Sequence, residues 1–208
     1  MELIVISNPI SVVDETILIN NLFIAGLTCL HIRKPGADAK SLRELINGIA
    51  PRFYNRIALH QCHELAPDYG IKRLHYTESD RENTSRKSRA VLKAAAYVLS
   101  TSIHDLTLLP SLSDFDYTFY GPVFNSLSKP GYQSVVPENF KLNKTGISLK
   151  VMAIGGITPV NLKTVKTMNF DGATVLGALW KQPQQAVTTF KDLMKNLPAS
   201  STDNNKND

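Results

Sequence analysis

The chain has 208 residues, enough for one domain with a sizeable core, and the composition of an ordinary globular protein. Its net charge of +5 favours anionic partners. The longest basic cluster is Arg86-Lys87 with Arg89, which fits a solvated helix face, so nucleic acid is not expected and phosphorylated small molecules are preferred. No apolar run approaches the roughly 20 residues of a membrane helix, and Met1–Ser7 reads as a strand rather than a signal peptide. Cys29 and Cys62 lie far apart without CxxC spacing, as expected for two reduced, buried thiols of a cytoplasmic protein with no membrane partner.

In chain order, eight short apolar runs read as strands: Leu3–Ile6, Thr28–Arg33, Arg56–His60, Arg73–Tyr76, Tyr97–Ser102, Tyr117–Gly121, Val151–Ile154 and Ala173–Leu176. Helical patterns lie between them. Asp14 is placed to cap Glu15–Ala25, with Gly26 ending it, and Asp38 or Ser41 opens a segment through Ala50. Thr158-Pro159 reads as an N-cap and first-turn proline for a helix to Met168, and Gln184–Asn196 makes the last helix. The third, fifth and sixth helical segments, Glu64–Tyr69, Leu106–Leu112 and Pro137–Leu142, are short or carry proline. This alternation is expected of an α/β fold, a compact (β/α)8 TIM barrel or a doubly wound sheet. One domain spans 1–197, followed by a polar, disordered tail at 198–208.

The polar residues of interest follow the strands, where barrel active sites are built. Alternation in Thr28–Pro35 puts His31 and Arg33 on one face and Leu30 and Ile32 on the other; an inward Arg33 is costly to bury without an anion, which suggests a phosphate ligand. After the sixth strand, Ser126, Ser128 and Lys129 offer hydroxyls and an ammonium to an anion. The turns Gly155-Gly156 and Leu176-Gly177, after strands seven and eight, match the position of a barrel phosphate site. His31, His60, His75 and His104 are each capable of proton transfer.

These segments in this order resemble the thiamin phosphate synthase family and its TenI-type tautomerase relatives, over Leu3 to Leu197. The resemblance rests on Gly121-Pro122-Val123-Phe124 with Ser126–Lys129, Ala153–Ile157, Leu74-His75 followed by Asp80, Ser100–His104 and Asp171-Gly172-Ala173. It implies a barrel that joins hydroxymethylpyrimidine diphosphate to thiazole phosphate and releases pyrophosphate, with Mg²⁺ on the diphosphate. Ser126, Ser128 and Lys129 fall on the pyrophosphate loop, Arg33 on a motif arginine, Asp80 on a Mg²⁺-binding aspartate and Ser102 near the diphosphate. Gly155, Gly156, Leu176 and Gly177 fall where thiazole phosphate is gripped. Phosphorylated small molecules are then the partners, and a homo-oligomer is in keeping with the family.

The chain also departs from the pattern. His31 replaces the motif glutamine and Pro35 the motif lysine, with Lys34 one residue early and on the opposite alternation. His60-Gln61 stands where the family has Asn-Asp, and Gln61 is a neutral, weaker ligand for a hard cation. A weakened Mg²⁺ site and reduced synthase activity are expected. The His31-Ile32-Arg33 version looks more like the TenI side, whereas Pro122 and the Ser-x-Ser-Lys loop look like the synthase. A thiazole tautomerase and a silent binder of a thiamin-precursor phosphate are the alternatives.

Overall fold

In a computed structural model of the chain, residues 1–125, 134, 136, 137 and 139–198 are described. The expected loop residues Ser126, Ser128 and Lys129, and the tail beyond Pro198, lie outside them.

Eight parallel strands close into a barrel in sequence order. They are β1 (Glu2–Ile6), β2 (Leu30–Ile32), β3 (Ile57–Leu59), β4 (Arg73–Tyr76), β5 (Val98–Ile103), β6 (Tyr117–Tyr120), β7 (Lys150–Ile154) and β8 (Gly172–Val175). Closure comes from β1 pairing with β8, in the register Glu2↔Gly172 to Val5↔Val175. The expected barrel is therefore the fold, and the doubly wound sheet is not.

The strands read as apolar on both faces because each face is buried against a different core. The larger core lies between strands and outer helices and holds Leu3, Val5, Leu30, Ile32, Leu59, Val151 and Val175. The smaller fills the barrel interior with Ile4, Ile6, Cys29, Tyr117, Phe119 and Met152. Residues two apart on one strand share a face. Cys29, His31 and Arg33 therefore form one inward column on β2 and its ends, as the alternation indicated. At the amino ends of the strands, Asp116 and Asp171 each take an amide of the preceding strand, Leu99 N and Val151 N, at 2.7 Å.

Helices cover the outside unevenly. They are α1 (Glu15–Ile24), α2 (Ala39–Asn47), α3 (Glu78–Asn83), α4 (Arg86–Ala94), α5 (Leu162–Thr167), α6 (Gly177–Trp180) and α7 (Ala186–Lys195). Asp38 caps α2 by accepting from Ser41 N at 2.8 Å. The third and fifth crossings hold 3-10 turns at His63–Leu65, Pro67–Tyr69 and Leu106–Leu112. No helix forms among the described residues of Pro137–Leu142.

Two capping expectations are corrected. Asp14 adopts a left-handed conformation (φ 57°) and its side chain makes no cap bond, so α1 begins without one. Thr158-Pro159 lies in a turn ahead of α5; Asn161 Oδ1 accepts from Thr158 N at 2.8 Å and delays the helix to Leu162. Cys29 is buried and Cys62 half-buried, and both are free thiols. Among the described residues no helix is long and apolar enough to cross a membrane.

Candidate functional site

A cavity of about 410 Å³ opens at the carboxyl ends of the strands. Its polar contributors are Asn8, Arg33, Ser102, His104, Thr174 and the two glycine turns Gly155-Gly156 and Leu176-Gly177. Ile6, Phe119, Ile154 and Ile157 supply apolar wall. Seven of the residues singled out from sequence thus share one cavity: Arg33, Ser102, His104, Gly155, Gly156, Leu176 and Gly177.

Arg33 is held at the end of β2 by its backbone. Its N–H donates to Ser7 Oγ at 2.9 Å, and Ser7 Oγ donates to its carbonyl at 3.2 Å. None of the ion pairs among the described residues takes its guanidinium. A half-buried guanidinium lining a cavity with no carboxylate among the described residues is suited to receive an external anion. The amide hydrogens of Gly156 and Gly177 have no acceptor among the described residues, so backbone donors flank the same space.

The glycine turn after β7 is demanded by the protein itself. Gly155 and Gly156 have φ of +98° and +64°. A Cβ on Gly155 would stand 2.6 Å from Pro122, and one on Gly156 2.4 Å from the Asn125 carbonyl oxygen. The segment leaving β6 packs directly on this turn, with Val123 N–H donating to Ile154 O at 2.9 Å and Phe124 N–H to Gly155 O at 3.2 Å. Close packing of the two loops, rather than ligand approach alone, fixes glycine here.

Thr174 on β8 was not singled out from sequence, where it is one threonine in an apolar strand. It lines the cavity, is 1% exposed, and its Oγ1 has no hydrogen-bond partner among the described residues. An unpartnered buried hydroxyl costs about 1–3 kcal/mol. Thr174→Val is expected to stabilise the ligand-free protein by about 1 kcal/mol and to weaken binding of a phosphorylated ligand roughly tenfold or more. Denaturant unfolding and ligand titration of the same variant check both halves. Unchanged affinity would remove Thr174 from the site.

His104 Nδ1 lies 2.8 Å from the Gly121 carbonyl oxygen. A carbonyl only accepts, so Nδ1 carries the hydrogen and Nε2 is left to meet a ligand or solvent.

His31, His60 and His75 sit inside the barrel rather than on the cavity wall, and all three are buried. His75 connects to the cavity through Ser102, its Nε2 lying 3.0 Å from Ser102 Oγ. Burial first, then the His75 ring competing for a proton and the Arg73 guanidinium, holds the His31 pKa well below the ordinary histidine value. Burial first, then His75, His31 and Arg33, does the same to His60. Burial, followed by His63 and Arg33, pushes His75 down to about 3. All three are neutral imidazoles at pH 7.

Three residues expected at the site are engaged elsewhere. The Lys34 ammonium donates to both Glu15 oxygens, at 2.6 and 2.7 Å, on the outer face that its alternation indicated. The Gln61 side chain spans the Lys34 backbone, accepting from Lys34 N at 3.4 Å and donating to Lys34 O. Asp80 closes a capping box on α3, its Oδ2 accepting from Thr77 Oγ1 at 2.6 Å and from Thr77 N at 3.3 Å. Neither Gln61 nor Asp80 lines the cavity. Among the described residues its lining offers no carboxylate of the kind a Mg²⁺ site draws from protein.

Comparison with known proteins agrees with this geometry. Residues 3–179 match the family model described as thiamine monophosphate synthase. The thiamine-phosphate synthase of Desulfitobacterium hafniense (strain Y51) is 38% identical over 191 residues, covering 88% of this chain and 91% of that protein. That of Lysinibacillus sphaericus (strain C3-41) is 26% identical over 202 residues, covering 86% and 88%. Among solved structures, the thiamine phosphate pyrophosphorylase of Bacteroides thetaiotaomicron superposes with a TM-score of 0.74 at 26% identity, covering 94% of this chain and 97% of that one. From the fold, the rim cavity and the match over most of its length, the chain belongs to the thiamine monophosphate synthase family.

Proposed function

We propose that this chain is a transferase of the thiamin-phosphate-synthase type, joining hydroxymethylpyrimidine diphosphate to thiazole phosphate with release of pyrophosphate. The observation that carries the reading is the rim cavity, lined by Arg33, which no ion pair among the described residues takes, by the Gly155-Gly156 and Leu176-Gly177 turns and by apolar side chains, in a chain of this family. The thiazole nitrogen attacks the pyrimidine methylene carbon as its bond to the diphosphate oxygen breaks, and the electron pair leaves with pyrophosphate. Little proton transfer is required; the site must hold the leaving group's charge and exclude water. Arg33 is suited to the first task, and Ile6, Phe119 and Ile157 to the second. The turns at Gly155-Gly156 and Leu176-Gly177 are suited to the monophosphate of the acceptor. Ser102, oriented by His75, supplies a hydroxyl beside the diphosphate.

Mg²⁺ on the diphosphate is what the family resemblance implies. Asp80 and Gln61 do not provide its ligands in the arrangement seen, so no step is assigned to the ion, and reduced activity is part of the proposal. Work in the cytoplasm accords with the free thiols.

Purified protein supplied with both substrates and Mg²⁺ is expected to form thiamin phosphate, and Arg33→Ala to lower kcat/KM roughly 10²- to 10³-fold, the usual effect of losing a preorganised charge-stabilising donor. No thiamin phosphate at high enzyme and Mg²⁺ would overturn the transferase reading. Isomerisation of a thiazole carboxylate phosphate by the same preparation would support the tautomerase instead.

A further inference from the structure

Beneath the rim cavity, His31 on β2, His60 just after β3 and His75 on β4 converge from three adjacent strands. One ring nitrogen from each lies within 4.8 Å of the other two. His31 Nδ1 and His60 Nε2 are 2.9 Å apart, and the His60 and His75 rings stack with centroids 4.0 Å apart. Two nitrogens that converge in this way share one hydrogen, and a cation of suitable softness can take its place.

We propose that His31, His60 and His75 form a binding site for a divalent transition-metal ion of the Zn²⁺ class inside the barrel. Imidazole nitrogen suits Zn²⁺, Co²⁺, Ni²⁺ or Cu²⁺, whereas Mg²⁺ takes oxygen, so this site differs in chemistry from any metal carried by a diphosphate. Burial keeps the three rings neutral, the form that coordinates a metal. Hydroxyls stand where such ligands need support. Tyr117 Oη is 2.7 Å from His31 Nε2, leaving Nδ1 for the ion. Ser100 and Ser102 hydroxyls lie 2.9 and 3.0 Å from the two nitrogens of His75, so one continues to orient the ring when the other yields. Three protein nitrogens leave a fourth position in a tetrahedral ion. The charged groups that bear on the cluster are Arg33 and Arg73, both cationic, so the fourth ligand is hydroxide or another anion.

The test is a Co²⁺ titration of the full chain in excess Mg²⁺, read by visible ligand-field absorption. One equivalent is expected to give the intense bands of four-coordinate Co²⁺, displaced by Zn²⁺. His60→Gln and His75→Gln should each abolish them, while His63→Gln and His104→Gln retain them. Tyr117→Phe is expected to weaken Co²⁺ binding about ten- to a hundred-fold, as loss of a ligand-orienting partner does. X-ray absorption of the Zn²⁺-loaded native chain, which needs no variant, should report three imidazole nitrogens at about 2.0–2.1 Å. Absence of the bands, their survival in both His60→Gln and His75→Gln, or fewer than three imidazoles around zinc would overturn the proposal.

Discussion

Lowering the pH from 8 to 5 in the presence of a chelator is expected to destabilise the fold through His31, His60 and His75, with about 2 kcal/mol of the loss from His75 alone. In the unfolded chain each imidazole titrates near pH 6.5. In the folded protein, burial and neighbouring cations hold His31 and His60 well below that value and His75 at about 3. The unfolded state therefore binds protons that the folded state refuses. Stability is fully present above pH 6.5 and declines as pH falls toward the folded-state values. By pH 5 His75, held at about 3, contributes a loss of about 2 kcal/mol, and His31 and His60 add to it in the same direction. Since a domain has only about 5–15 kcal/mol to lose, this window takes a substantial part of the barrel's stability. Urea unfolding at pH 8, 6 and 5 measures it. A slope below one proton across that range would mean that the imidazoles are already charged in the folded barrel.

Lys34→Met is expected to cost about 3–5 kcal/mol, because it strands the Glu15 carboxylate, which like Lys34 has a side chain 6% exposed. Replacing both partners, as Lys34→Met with Glu15→Leu, should recover most of that loss, since an apolar pair of similar volume carries no desolvation cost. Activity per folded molecule should hold in the double variant. Denaturant midpoints together with the thiamin phosphate assay separate the possibilities. Loss of activity at unchanged stability would return Lys34 to the substrate site, where its position beside the motif arginine would have placed it.

The barrel was legible because its strands carry a period-two signal and the crossings a helical one. β4 spans Arg73–Tyr76, as the pattern indicated, and the inward column of His31 and Arg33 follows from alternation alone. Local chemistry was less reliable at the edges. Thr77-x-x-Asp80 carries the spacing of a capping box, a sequence signal for Asp80 as a helix cap rather than a metal ligand. The Lys34–Glu15 pair joins residues 19 apart on separate elements, and nothing in either neighbourhood announces it. Tyr117 and Thr174 were silent for a similar reason: each is one member of a strand whose pattern reports burial but not which buried atom lacks or finds a partner. The glycine turn after β7 was legible as a turn, and the loop packed on it demands glycine there.

The rim cavity, read as a phosphate site, should hold a monophosphate without metal. Calorimetric titration of thiazole phosphate into the protein with Mg²⁺ omitted and chelator present tests it most directly. Saturable one-to-one binding, competed by inorganic phosphate and weakened in Thr174→Val, is the expected result. Absence of binding until Mg²⁺ is added, or binding that inorganic phosphate does not compete, would contradict it.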